Sequence, residues 1–203
     1  MITTPAEPSA TTLTTLTPPA NKRWFWPLWA LAFVGFPIGG LAGAAVGGPV
    51  DSVTSSVLAG AATGAVIGAA QWLVLRRRLT ISPWWIAATG IGMAAGMAIG
   101  TAALGSEIAD ASLPLRGLIT GAAIGAAQTV LLNRAIPGAF AWGPVVAIGW
   151  ALAWMITRAV GIDLAPKYSV FGSTGAWSFQ LLTGLTLWWL FRQQKFARSA
   201  GRG

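Results

Sequence analysis

Apolar residues dominate this chain in six long runs separated by short polar breaks: Trp24–Gly47, Ser55–Leu75, Pro83–Leu104, Leu115–Leu132, Phe140–Val160 and Phe171–Phe191. Each run is near the ~20 residues that a helix needs to cross ~30 Å of hydrocarbon. No alternating barrel pattern is present, and an open strand in lipid would leave its backbone groups unpaired. The pattern predicts an all-α integral membrane bundle of six transmembrane helices.

A second regularity lies within the first. "TGAVIGAAQWLVLRRRL" begins at Thr63, and "TGAAIGAAQTVLLNRAI" begins 57 positions later at Thr120. The same shift carries Gly60, Gly64 and Gly68 onto Gly117, Gly121 and Gly125, and Gln71 onto Gln128. On the preceding runs it carries Gly35, Gly39 and Gly43 onto Gly92, Gly96 and Gly100, and Trp85 onto Trp142. One shift that serves two successive helices makes the hairpin the repeating unit. A fainter third copy places Gly149, Ala153 and Thr157 on the fifth run. On the sixth, Gly184 and Leu187 align with Gly125 and Gln128 if two residues are inserted. Each unit crosses twice, so the expectation is three parallel hairpin repeats, at about 24–80, 81–137 and 138–192, around an axis along the membrane normal. Residues 1–23, rich in Thr, Pro, Ser and Ala, are expected to be a disordered cytoplasmic tail, and 193–203 a basic cytoplasmic one.

Charge orients the bundle. With the N-terminus inside, ten basic residues fall in cytoplasmic segments (among them Arg76, Arg77, Arg78, Arg134 and Arg192), and only Arg116, Arg158 and Lys167 fall outside. That is the positive-inside bias of a membrane protein with both termini cytoplasmic. The net charge of +8 sits at the ends of apolar runs, which suits anionic headgroups at the cytoplasmic face and argues against nucleic acid.

Residues four apart on a helix share a face, so each glycine series makes one smooth stripe. Such stripes let backbones approach closely in lipid, which predicts helix-packing roles for all twelve glycines; lining a pore or a lipid-tail cleft is the alternative. Gln71 and Gln128 lie near the cytoplasmic boundary, where an interhelical polar clasp is expected, with a ligand contact as the alternative. If the two faces turn inward, their amides meet while Leu187 fills the third position. Gln180 lies deeper and needs a partner such as Thr157 or another hydroxyl. Nine tryptophans, including Trp29, Trp85 and Trp142, gather toward cytoplasmic helix ends as an interfacial belt would. Pro37 predicts a kink in the first helix.

The chain has no Cys and no His. Thiolate and imidazole metal sites are thereby excluded, as are Cys/His and Ser/His dyads, and no cofactor is expected. "GxxxGxxQW-L-V-L-RRRL" followed by "SPWW" resembles a family of uncharacterised bacterial polytopic membrane proteins with tandem hairpins ending in AQWLVLRR-like segments. Gly64, Gly68, Gln71, Trp72, Arg76 and Arg77 carry the resemblance, while Thr129 and Asn133 depart from it. It implies a multipass membrane protein with no known activity. Two functional classes follow: a non-enzymatic accessory, scaffold or lipid-associating protein with a possible membrane protein partner, or a small channel or transporter for a neutral or hydrophobic solute.

Overall fold

The computed structural model describes residues 24–105, 110–160 and 172–200. The expected disordered tail, 1–23, lies outside the described residues. The described chain forms six long helices and no strand: α1 (Phe25–Gly47), α2 (Val53–Leu75), α3 (Trp84–Leu104), α4 (Leu113–Ala135), α5 (Ala139–Ala159) and α6 (Ser173–Ala200). The first five are long and apolar enough to cross a membrane, which is compatible with a multipass membrane protein. The sixth continues the apolar run to Phe191 and then extends as helix through Ala200, where the sequence places a basic tail.

Local chemistry sets the helix ends. Ser52 accepts the backbone N–H of Ser55, and the Ser55 hydroxyl accepts that of Ser52, a capping box that satisfies two otherwise orphaned donors at the start of α2. Pro114 stands in the first turn of α4, where no N–H is needed. Asn133 takes the place of Arg76, and its Oδ1 accepts the N–H groups of Gly138 and Ala139. It therefore ties down the α4–α5 turn, in which Gly138 has φ +85°. Arg116 reaches back along α4 to donate to the Gly105 carbonyl at the end of α3, at 2.6 Å.

Each helix packs against its neighbours in sequence, and α6 returns to α1, so the six close into a ring. The glycine stripes run around that ring in one direction. Gly35 and Gly39 of α1 face α2; Gly60, Gly64 and Gly68 of α2 face α3; Gly92 and Gly96 of α3 face α4; Gly117, Gly121 and Gly125 of α4 face α5. Gly149 of α5 faces α6, and Gly184 of α6 faces Trp29 of α1. Gly43 is also buried. Gly100 is the exception among the twelve: a methyl there would meet only the Arg116 stem, 3.9 Å away. The stripe glycines other than Gly43 and Gly100 thus lie at helix–helix contacts.

Two aromatic layers fill the ring. One holds Trp29, Trp85 and Trp142, with ring centroids 6.4 Å (Trp29–Trp142) and 6.0 Å (Trp85–Trp142) apart. The other holds Phe36, Trp150 and Phe179, with centroids 5.6–6.4 Å apart. The belt expectation fails for the first layer: Trp29, Trp85 and Trp142 are at most 2 % exposed, whereas Trp24, Trp84, Trp188 and Trp189 do lie on the outside. The reason is polar, and it is set out below.

Phe36, Met93 and Trp150 are 57 residues apart in turn, and all three are buried. Trp85 and Trp142 precede the last two by eight residues, but Trp29 precedes Phe36 by only seven. A 3-10 turn at Ala32–Val34, where the Pro37 ring crowds the Phe33 carbonyl, makes up the difference. Three residues rising ~2.0 Å and four rising ~1.5 Å span about 12 Å, the same as eight α-helical residues. The distortion found before Pro37 is this 3-10 turn, and it sets the height of Trp29.

Candidate functional site

The densest polar constellation lies inside the ring, toward the end that carries Arg76–Arg78 and Arg134. Gln71 of α2 and Gln128 of α4 are 1 % and 2 % exposed. The Gln128 amide nitrogen donates to Gln71 Oε1 at 3.2 Å and to the Thr89 hydroxyl at 2.9 Å. The Trp85 indole N–H donates to Gln71 Oε1 at 3.3 Å, and the Trp142 indole N–H donates to Gln128 Oε1 at 2.9 Å. Thr89 in turn donates to the Trp85 carbonyl at 2.8 Å. A buried indole needs an acceptor. The glutamines supply it, and that is why these tryptophans sit inside rather than in a belt.

The network joins α2, α3, α4 and α5. Glutamine suits the task because one amide offers an acceptor and two donors without charge. Leu187 of α6 is fully buried in the same apolar core. The sequence pattern singled out the glutamines but missed Thr89 and the indole donors. The signal was present: each glutamine precedes its tryptophan by 14 residues, once at Gln71–Trp85 and again at Gln128–Trp142.

A different clasp joins α6 to α1. The Gln180 amide donates to the Trp29 carbonyl at 2.6 Å, and the Trp29 indole donates to the Gln180 carbonyl at 3.1 Å. The expected partner was a hydroxyl such as Thr157; the observed one is a backbone carbonyl, accessible beside the 3-10 turn that follows Trp29. The two-residue insertion that aligns Gly125 with Gly184 also aligns Gly121 with Gln180. A methyl at Gly64 or Gly121 would press on the backbone of the next helix at 2.7 Å. The corresponding place in α6 holds a full glutamine side chain, so α6 and α1 meet through side chains. Gln180 Oε1 and the Thr157 and Thr174 hydroxyl oxygens are buried with no hydrogen-bond partner among the described residues.

No family model, curated protein or solved structure matches this chain. Its chemistry is therefore read from the geometry alone. The glutamine network is neutral, fully enclosed and engaged with its own indoles and hydroxyl, an arrangement suited to holding helices together.

Proposed function

We propose that this chain is a multipass protein of the bacterial inner membrane, with three parallel helical hairpins and both termini in the cytoplasm. It acts without chemistry of its own, as an accessory, scaffold or lipid-associating bundle, with anionic headgroups at its cytoplasmic face and another membrane protein as its candidate partner. The observation that carries this reading is the filled centre of the ring. Trp29, Trp85, Trp142, Phe36 and Leu187 are all buried there, and the amides among them bond to neighbouring indoles, a hydroxyl and a backbone carbonyl. A solute path would need an open axis, and these side chains fill it. The resemblance carried by the AQWLVLRR-like segment agrees with the same reading.

Reporter fusions test the orientation. Fusions at Arg78 and at the C-terminus should read cytoplasmic and one at Asp110 external; a periplasmic signal at Arg78 would overturn the map. Reconstitution tests the function. Liposomes carrying the full chain should pass glycerol, urea and erythritol no faster than empty vesicles, and a protein-dependent flux of any of them would turn the reading to a channel.

A further inference from the structure

Around most of the ring, glycines bring backbones into contact. A methyl built at Gly35, Gly39, Gly60, Gly64, Gly92, Gly96, Gly117, Gly121 or Gly125 would meet backbone atoms of the next helix within 3.4 Å. Between α6 and α1 the only near neighbour of Gly184 is the Trp29 ring, at 3.0 Å. The spacing leaves a cavity of about 400 Å³ lined by Trp26, Trp29, Gln180, Leu181, Leu185 and Trp188. Leu181 and Leu185 are well exposed, so it opens on the outer face of the bundle. Its size falls among pockets that hold small ligands (~300–1,000 Å³).

The basic end of this groove is furnished differently. Arg192 stacks on Trp188, its guanidinium carbon 4.0 Å from the ring centroid. Arg78, from the α2–α3 connection, reaches over three rings: Phe191 at 4.1 Å, Phe25 at 5.3 Å and Trp26 at 5.7 Å. Burial against those rings lowers the Arg78 pKa from its ordinary value through desolvation. Stacking on a ring face leaves the guanidinium edge free to bond an anion's oxygens in pairs. Among the described residues no carboxylate stands at this end; Asp51 lies in the α1–α2 connection, at the opposite one. From Arg192 to Gln180 is twelve residues, a helical rise of about 18 Å. That is close to the half-thickness of the hydrocarbon, about 15 Å.

We infer that the α6–α1 groove seats one acyl chain of an anionic phospholipid whose phosphate lies against Arg192 and Arg78. The inference rests on the membrane reading above and gives its lipid association one definite site. The tail covers apolar surface that the substitution of Gln180 for glycine leaves open, and the phosphate neutralises two guanidiniums on the aromatic ledge.

Full-length protein purified in neutral detergent can be titrated with dioleoyl-phosphatidylglycerol or dioleoyl-phosphatidylcholine and examined by native mass spectrometry. One phosphatidylglycerol per chain should persist under conditions that strip phosphatidylcholine, and glycerol phosphate without tails should not be retained. Arg192→Gln and Arg78→Gln should each weaken retention about fivefold. Ala30 also lines the groove, so Ala30→Phe, which fills it, should abolish retention with both arginines intact. If that variant does not fold, Leu185→Trp narrows the groove from its exposed side and should do the same. Equal retention of the two lipids, retention undiminished by the groove-filling variant that folds, or binding of glycerol phosphate alone would each overturn the site. Those outcomes leave the fusion and flux results untouched, so failure of this site is distinguishable from failure of the membrane reading.

Discussion

Gly64→Leu should destabilise the bundle by about 3 kcal/mol or more, and Gly121→Leu by a similar amount, because each forces a branched side chain into a backbone contact. A Cβ at Gly64 would lie 2.7 Å from the Thr89 carbonyl oxygen and 2.8 Å from the Gly90 Cα; at Gly121 it would lie 2.7 Å from the Val146 carbonyl oxygen and 2.9 Å from the Ala147 Cα. Neither obstacle is the end of a flexible side chain, so the helices themselves must separate. Even alanine at these places should cost about 1–3 kcal/mol in lost packing, offset by about 1 kcal/mol of helix propensity. Gly100→Ala inverts the sign. With nothing nearer than 3.9 Å, only the propensity gain of about 1 kcal/mol remains. Thermal midpoints in detergent check the series: Gly64→Ala and Gly121→Ala fall, and Gly100→Ala holds or rises. Unchanged midpoints for both leucine variants would place the stripes against lipid and refute the packing described.

Gln128→Leu should be the costliest change in the polar network, at about 2–4 kcal/mol. It strips the acceptor from the buried Trp142 indole and the donor from both Thr89 and Gln71, and each buried group left unsatisfied costs about 1–3 kcal/mol. Gln71→Leu removes the acceptor shared by the Trp85 indole and the Gln128 amide and should cost about 1–3 kcal/mol. The double variant should lose less than the sum, because the Gln128–Gln71 bond can be broken only once. Chemical or thermal denaturation of the four proteins gives the coupling directly. Strict additivity would mean that the two amides do not act on each other.

Much of this arrangement could be read before any coordinates. The six helices follow from run length, and the glycine stripes follow from four-residue spacing, because in a chain so poor in charge these two periodicities account for most of the sequence. The burial of Trp85 and Trp142 was harder to see. A tryptophan near a helix end has the same local sequence whether its ring faces headgroups or a glutamine on another helix; only the constant separation of 14 residues tells them apart. Trp29 was harder still, since the 3-10 turn moves it off the 57-residue register, and a turn of that kind depends on how the Pro37 ring meets the preceding carbonyl. The groove between α6 and α1 could not be found from periodicity at all. It arises where the periodicity breaks, at Gln180.

The one-way order of the glycine faces bears on how the ring is assembled. Each of the first four helices carries a glycine face that its successor covers, so every newly made helix up to the fifth meets a prepared surface on the helix before it. The Gln71–Trp85 and Gln128–Trp142 bonds close over 14 residues, whereas the Gln180–Trp29 pair joins residues 151 apart. Contacts between residues so distant form late, since their loop entropy is lost before any contact repays it. On that ordering the reciprocal Trp29–Gln180 bonds are the latch that would convert an open arc of helices to a ring. The same latch, with no glycine-to-backbone contact beside it, is the joint along which the ring would first reopen.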